Sequence, residues 1–286
     1  MIRRRSALVV SLFTFCLGLV AQPPLPQPDA VQGNIWYGAI PPNGAQAPLL
    51  VFLHGLGGTA SYFWINNDMY TDAYNAGYRT AFISTNADNS PGNNTIAVNG
   101  IVVKNTIPTV ARHFATRKMY LICHSKGGLD LQFAMATYPA IRALVKAVFT
   151  LGTPNQGSQM ADWAFGPGKP YANSLGLLTP GMASLKVVNV QTYRSTFDPI
   201  FSAAGIPFFY LAGNSYTGNS LTALTGPVLL GLSGQANDGL VAPSEAPLPP
   251  AYATTLGVIA DNHFLMGTGS VSFTYVQPQI IALESH

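Results

Sequence analysis

The chain has 286 residues, 48% of them hydrophobic and 9% charged, with 28 glycines and 22 prolines; this supplies one large core and excludes a disordered chain. Its formal charge of +3 arises from 14 basic against 11 acidic residues, and Arg3, Arg4 and Arg5 account for the whole excess. The remainder is neutral, which removes the electrostatic case for a nucleic-acid partner or a basic membrane patch.

Those arginines open residues 1–21, where an apolar run from Ala7 to Val20 and then Ala21 follow them, the layout of a removable secretory signal. The run is short for a bilayer span, so the mature chain is expected to be secreted, extracellular or periplasmic, with no stable membrane anchor. Arg4 and Arg5 give weak support to a twin-arginine signal. Of two cysteines, Cys16 lies in this segment, which leaves Cys123 without an intramolecular disulfide partner. Residues 22–48, rich in Pro, Gln, Gly and Asn, are predicted to be a linker and edge segment, and residues 49–286 the main domain.

Short apolar runs recur from there, at 49–53, 80–83, 119–123, 147–151 and 207–211, each closed by Gly, Asn, Ser or Thr; they predict buried parallel strands. Residues 257–260 predict a last strand. Stretches of helical length lie between, at 106–116 and at 129–138, the second stopped by Pro139. Alternation of this kind predicts an α/β fold, a mostly parallel central sheet with helices on both faces, whose function gathers at the carboxyl ends of the strands. Residues 157–200 break the alternation with Trp163, Phe165, Tyr171, Leu175, Leu177, Leu178 and Met182 among glycines and prolines, which predicts an inserted cap or lid.

The strand at 119–123 runs into Cys123-His124-Ser125-Lys126-Gly127, a G-x-S-x-G elbow with Cys in the first glycine position. An abrupt turn from strand to helix exposes a serine in a strained backbone conformation and demands small residues two positions to either side. Ser125 is therefore the predicted nucleophile. The backbone N–H of Lys126, at the amino end of the following helix, is one predicted oxyanion donor. The earlier loop His54-Gly55-Leu56-Gly57-Gly58 can bring a second, assigned to Leu56 N–H. Tyr62, Phe63 and Trp64 follow, as walls of an acyl pocket or as core filling.

Of five histidines, His54 belongs to that loop, His113 to a helix, His124 to the elbow and His286 to the terminus. His263 remains, and it satisfies the chain order Ser, acid, His. The acid that orients this base is assigned to Asp238, in the turn Asn237-Asp238-Gly239-Leu240-Val241. Asp261 and then Asp198 are the alternatives.

Four segments together, HGLGG at 54–58, HSKGG at 124–128, LGTPNQGS at 151–158 and NDGLV at 237–241, resemble the bacterial triacylglycerol lipases and esterases of the α/β-hydrolase superfamily. The resemblance covers residues 49 to about 267. It implies hydrolysis of acyl esters through an acyl-enzyme, with Ser125, Asp238 and His263 as nucleophile, acid and base, and with no cofactor. Such lipases often carry a calcium-ligating aspartate two residues after the histidine, where this chain has Leu265, so calcium is disfavoured as a ligand. Asn155 stands where a histidine is common. The apolar insertion and the signal together point to a lipidic or polymeric ester as substrate. A secreted polyester depolymerase is the rival enzyme, and a non-catalytic binding protein of the same fold is the rival of another class.

Overall fold

The computed structural model describes residues 22–85 and 94–285; the expected signal over residues 1–21 lies outside them. Eight strands form one sheet: β1 (Gln27–Pro28), β2 (Ile35–Tyr37), β3 (Leu49–Leu53), β4 (Arg79–Ile83), β5 (Met119–His124), β6 (Val145–Leu151), β7 (Phe208–Gly213) and β8 (Ala253–Ile259). Their spatial order is β1-β2-β4-β3-β5-β6-β7-β8. β1 and β2 add to the sheet antiparallel, and every other neighbouring pair is parallel. This is the α/β architecture expected from the alternation of elements.

The central strands were visible as unbroken apolar runs because both of their faces are covered; β3, β4 and β5 are buried at every position. β8 begins four residues earlier than the expected 257, since an edge strand that is half exposed carries no continuous apolar signal.

One face of the sheet packs under α1 (Met69–Asn75) and the C-terminal helix Ser270–Glu284, with Phe52, Phe82, Ile122 and Phe149 in the shared core. The other face packs under α2 (Ile96–His113), α3 (Lys126–Thr137) and the helix Val187–Ala204, with Val51, Leu121, Cys123, Val148, Phe197 and Phe201 between them. α2 is longer than the stretch expected at 106–116. Its first turns hold Gly100 and several β-branched residues, poor helix formers on their own, but a Cβ on Gly100 would come within 2.4 Å of the Phe133 ring. The glycine is there to let α2 approach α3.

The expected insertion at 157–200 divides in two. Its first part forms three short helices, α4 (Gln159–Phe165), α5 (Lys169–Ser174) and α6 (Pro180–Ala183), over their own apolar cluster of Met160, Ala161, Met182 and Leu185. The second part belongs to α7 (Val187–Ala204), whose Phe197 and Phe201 lie in the main core. α8 (Ser220–Ser233) and α9 (Ser270–Glu284) complete the chain. No helix among the described residues is long and apolar enough to cross a membrane.

Candidate active site

β5 ends at His124, and α3 begins at Lys126, so Ser125 alone makes the turn. Its φ of 54° and ψ of −132° lie in a region that costs an L-residue energy and persists only where the surroundings hold it. Three contacts do so: Ser125 N–H donates to Leu151 O at 2.9 Å, while its carbonyl accepts from Gly128 N–H at 3.1 Å and from the Thr153 hydroxyl at 2.8 Å.

His263 follows β8 and approaches the same point. Its Nε2 is 2.8 Å from Ser125 Oγ, and its Nδ1 is 2.8 Å from Asp238 Oδ2. All three side chains are buried. The other oxygen of Asp238 accepts from Leu240 N–H at 2.9 Å and Val241 N–H at 2.7 Å, and its carbonyl accepts His263 N–H at 2.9 Å. A carboxylate accepting at Nδ1 leaves the Nε2 lone pair facing the serine hydroxyl. The alternative acids lie elsewhere: Asp198 bonds Tyr252 and Arg194, and Asp261 makes no side-chain contact with the imidazole.

Two further side chains hold the loop that carries His263. His124 Nε2–H donates to His263 O at 2.7 Å, and the Tyr62 hydroxyl donates to Phe264 O at 2.6 Å, with the His124 and Tyr62 rings stacked at 5.1 Å. Burial first, and then the neighbouring His263, hold His124 well below the usual histidine range, so it stays neutral beside the base. Glu245 sits behind the acid loop, its two oxygens accepting from Gln159 N–H at 2.6 Å and Ala242 N–H at 2.7 Å. Burial pushes its carboxyl up to about 7, against those two hydrogen bonds, and Asp238 adds to the rise. His124 carried no signal beyond its place in the elbow, and Glu245 lies outside every motif read from the sequence.

Leu56 lines the same cavity as Ser125, and among the described residues neither Leu56 N–H nor Lys126 N–H donates to another group. Gly55 lies against the nucleophile, since a Cβ there would fall 2.6 Å from Ser125 Cβ. Lys126 turns its side chain inward, fully buried and 2.6 Å from Asp130.

Of the expected wall residues, only Tyr62 reaches the cavity. Phe63 and Trp64 do not line it and fill core instead of walling a pocket: Phe63 is fully buried against Phe52 and Phe82, and Trp64 packs on Phe82 and Trp36. The 3₁₀ turn Ala60–Phe63 explains the split between Tyr62 and Phe63, because three residues per turn set adjacent side chains about 120° apart. The walls come instead from the segment of α4 to α6 and from α8, through Trp163, Tyr171, Leu177, Met182, Leu224 and Val228. The cavity measures about 830 Å³, and among the described residues no Asp, Glu, Lys or Arg lines it. The signal for α8 was available in its sequence, which holds no charged residue between Asn219 and Gly234. No three His, Cys, Asp or Glu side chains gather into a metal-ligand set among the described residues.

No protein-family model matches the chain. Its structure is similar to that of Bacillus licheniformis lipase BlEst2 in mature form, with 31% sequence identity, a TM-score of 0.72, and coverage of 90% of this chain and 95% of that one. The propeptide form of the same lipase matches at 31% identity and a TM-score of 0.74, over 86% of this chain and 53% of that one. The metagenomic carboxyl esterase MGS0156 shares the fold at 21% identity and a TM-score of 0.57, over 76% and 64% of the two chains. With nearly full-length similarity to a lipase at this identity, the chain belongs to the bacterial lipases and esterases of the α/β-hydrolase superfamily and is a carboxylic ester hydrolase.

Proposed function

We propose that the protein cleaves lipidic acyl esters through a covalent acyl-enzyme on Ser125. The observation that carries this reading is the relay from Asp238 through His263 to Ser125, at 2.8 Å in each step, opening on a cavity that no charged side chain lines among the described residues. His263 Nε2 takes the Ser125 proton as Oγ attacks the ester carbonyl, and Asp238 stabilises the imidazolium that forms. The N–H groups of Leu56 and Lys126 receive the developing oxyanion. The tetrahedral adduct then expels the alcohol, which leaves with the proton from His263. Water, deprotonated by the same imidazole, releases the carboxylic acid and restores Ser125.

A cavity of about 830 Å³ walled by Leu, Val, Met, Trp and Tyr suits a long acyl chain better than a small polar metabolite. The basic and apolar residues 1–21 support export of the enzyme to the extracellular or periplasmic space, with that segment removed.

Intact-mass analysis after treatment with an organophosphonate tests the chemistry: one adduct, abolished by Ser125→Ala, is expected. A folded protein that takes no adduct is the non-catalytic binding protein instead. Turnover of emulsified long-chain triglyceride, soluble short-chain ester and polyester film then tests the substrate class. Activity confined to the short ester removes the lipidic reading, and preference for the film establishes a polyester depolymerase.

A further inference from the structure

A buried polar chain runs beneath the nucleophile from one oxyanion donor to the other. It begins at Lys126, whose Nζ donates to Asp130 Oδ1 at 2.6 Å with both side chains about 1% exposed. Asn99 of α2 donates from its amide to Asp130 Oδ2 at 2.9 Å and to the Thr85 hydroxyl at 3.1 Å. Thr85 N–H donates to His54 Nε2 at 3.1 Å. That bond places the His54 proton on Nδ1, which donates to Gly55 O at 2.7 Å.

Gly55 C=O and Leu56 N–H belong to one trans peptide, so they point in opposite directions. Fixing the carbonyl toward His54 therefore fixes the N–H away from it. At the other end of the chain, the residue that anchors Asp130 is Lys126, whose own N–H is the second assigned oxyanion donor. We propose that His54 and Asn99 are positioning residues for ester hydrolysis, locking the Leu56 and Lys126 N–H groups into a single geometry around the oxyanion. The proposal rests on the oxyanion assignment made under Proposed function.

Two physical arguments favour this role over plain structural support. A buried ion pair adds little net stability over apolar packing, so Lys126–Asp130 is poorly explained as a fold-stabilising device. Burial, with Lys126 adding to it and the Gly55 bond opposing, brings His54 down to about 4, so the ring stays neutral and keeps one tautomer through the neutral range.

The intact protein is assayed with a p-nitrophenyl ester for kcat and KM, and with an alkylboronic acid, whose tetrahedral adduct on Ser125 places an oxygen between the two donors. His54→Leu is expected to lower kcat by about 10- to 100-fold, less than loss of a whole donor. KM should stay within about threefold, and boronic acid affinity should fall with kcat. His54→Asn, whose side-chain amide nitrogen falls near the Nδ1 position, should recover about fivefold or more. Asn99→Leu should lose kcat and boronic acid affinity together by about three- to tenfold. Folded variants with unchanged kcat and boronic acid affinity overturn the proposal, as does an equal loss in His54→Asn and His54→Leu. Should His54→Leu not fold, Asn99→Leu decides by the same two readouts, and Thr85→Ala decides if neither folds. Ser125→Ala separates the levels: activity surviving that change refutes the nucleophile itself, whereas its loss beside full activity in the positioning variants refutes only this inference.

Discussion

Asp238→Asn is the sharpest perturbation of the proposed relay, because the structure dictates how the amide must sit. One oxygen of the native side chain accepts two backbone N–H groups, from Leu240 and Val241. An asparagine keeps its carbonyl oxygen there, since turning the amide would set its NH₂ against two donors. The NH₂ then faces His263 Nδ1, 2.8 Å away in the native protein. His263 can meet that donor only by accepting at Nδ1, which moves its proton to Nε2 and removes the lone pair that takes the Ser125 proton. A wrong tautomer of this kind costs about 10⁴ in kcat, or about 5 kcal/mol of transition-state stabilisation. The fold keeps its hydrogen bonds at this position, so unfolding free energy should change by about 1 kcal/mol or less. Initial rates on a soluble p-nitrophenyl ester, beside thermal melts, give both numbers. Asp261→Asn and Asp198→Asn run in parallel and should stay near native activity, since neither carboxylate touches His263. An Asp238→Asn protein retaining more than about a hundredth of native kcat, or an equal loss in Asp261→Asn, would refute the assignment.

Gly127→Ala puts a Cβ 2.4 Å from His54 O and 2.8 Å from Leu53 O; both are backbone atoms, so α3 has to shift against β3. A displacement approaching 1 Å costs on the order of 10² in rate, and kinetics with a melting curve should show kcat falling further than stability explains. Phe63→Ala should lower stability by about 3–5 kcal/mol, as a buried aromatic truncation does, without changing KM in the folded fraction. Trp163→Ala should do the reverse, raising KM about tenfold for long-chain esters while sparing short ones; a KM effect from Phe63 instead would restore it to the pocket wall. Glu245 gives a pH signature. Its carboxyl titrates at 4.5 ordinarily and at about 7 in the folded protein, so between those values the folded state holds the extra proton. Stability from this group is present below 4.5 and is lost as pH rises through 7, by up to about 3 kcal/mol. Glu245→Gln should flatten that part of the melting temperature against pH profile, and an unchanged slope would remove Glu245 as its source.

The legible and illegible parts of the chain divide along physical lines. Strands covered on both faces must be apolar throughout, so β3 to β7 could be located within a residue or two. An edge strand such as β8 has no such obligation. Ser125 and His263 stood out because the elbow needs small flanking residues and because the chain order left a single histidine. Asp238 was one of three acids in sequence, and only the structure shows which carboxylate meets the imidazole. The orientation of Phe63 against Tyr62 depends on a 3₁₀ turn that apolar periodicity does not reveal. Lys126 and Asp130 have the i,i+4 spacing of an exposed helix pair, and nothing in the sequence says that this pair is buried.

The two small positions of the elbow are not equivalent, and the difference explains why one of them holds Cys. Cys123 lies on β5 with its side chain in the core beside Leu53, Leu121 and Leu131, and burial raises its thiol well above the ordinary range. It acts as a small apolar filler. Gly127 instead faces the backbone of the oxyanion loop, where a Cβ has no room, just as a Cβ on Gly55 would strike Ser125 from the other side. Crowding is therefore confined to the seam between α3 and the loop after β3. That seam has to be tight: two N–H groups from separate elements can serve one oxygen only if their backbones nearly touch. Cys at 123 is an adjustment of the core, whereas any side chain at 55 or 127 would pull the two donors apart.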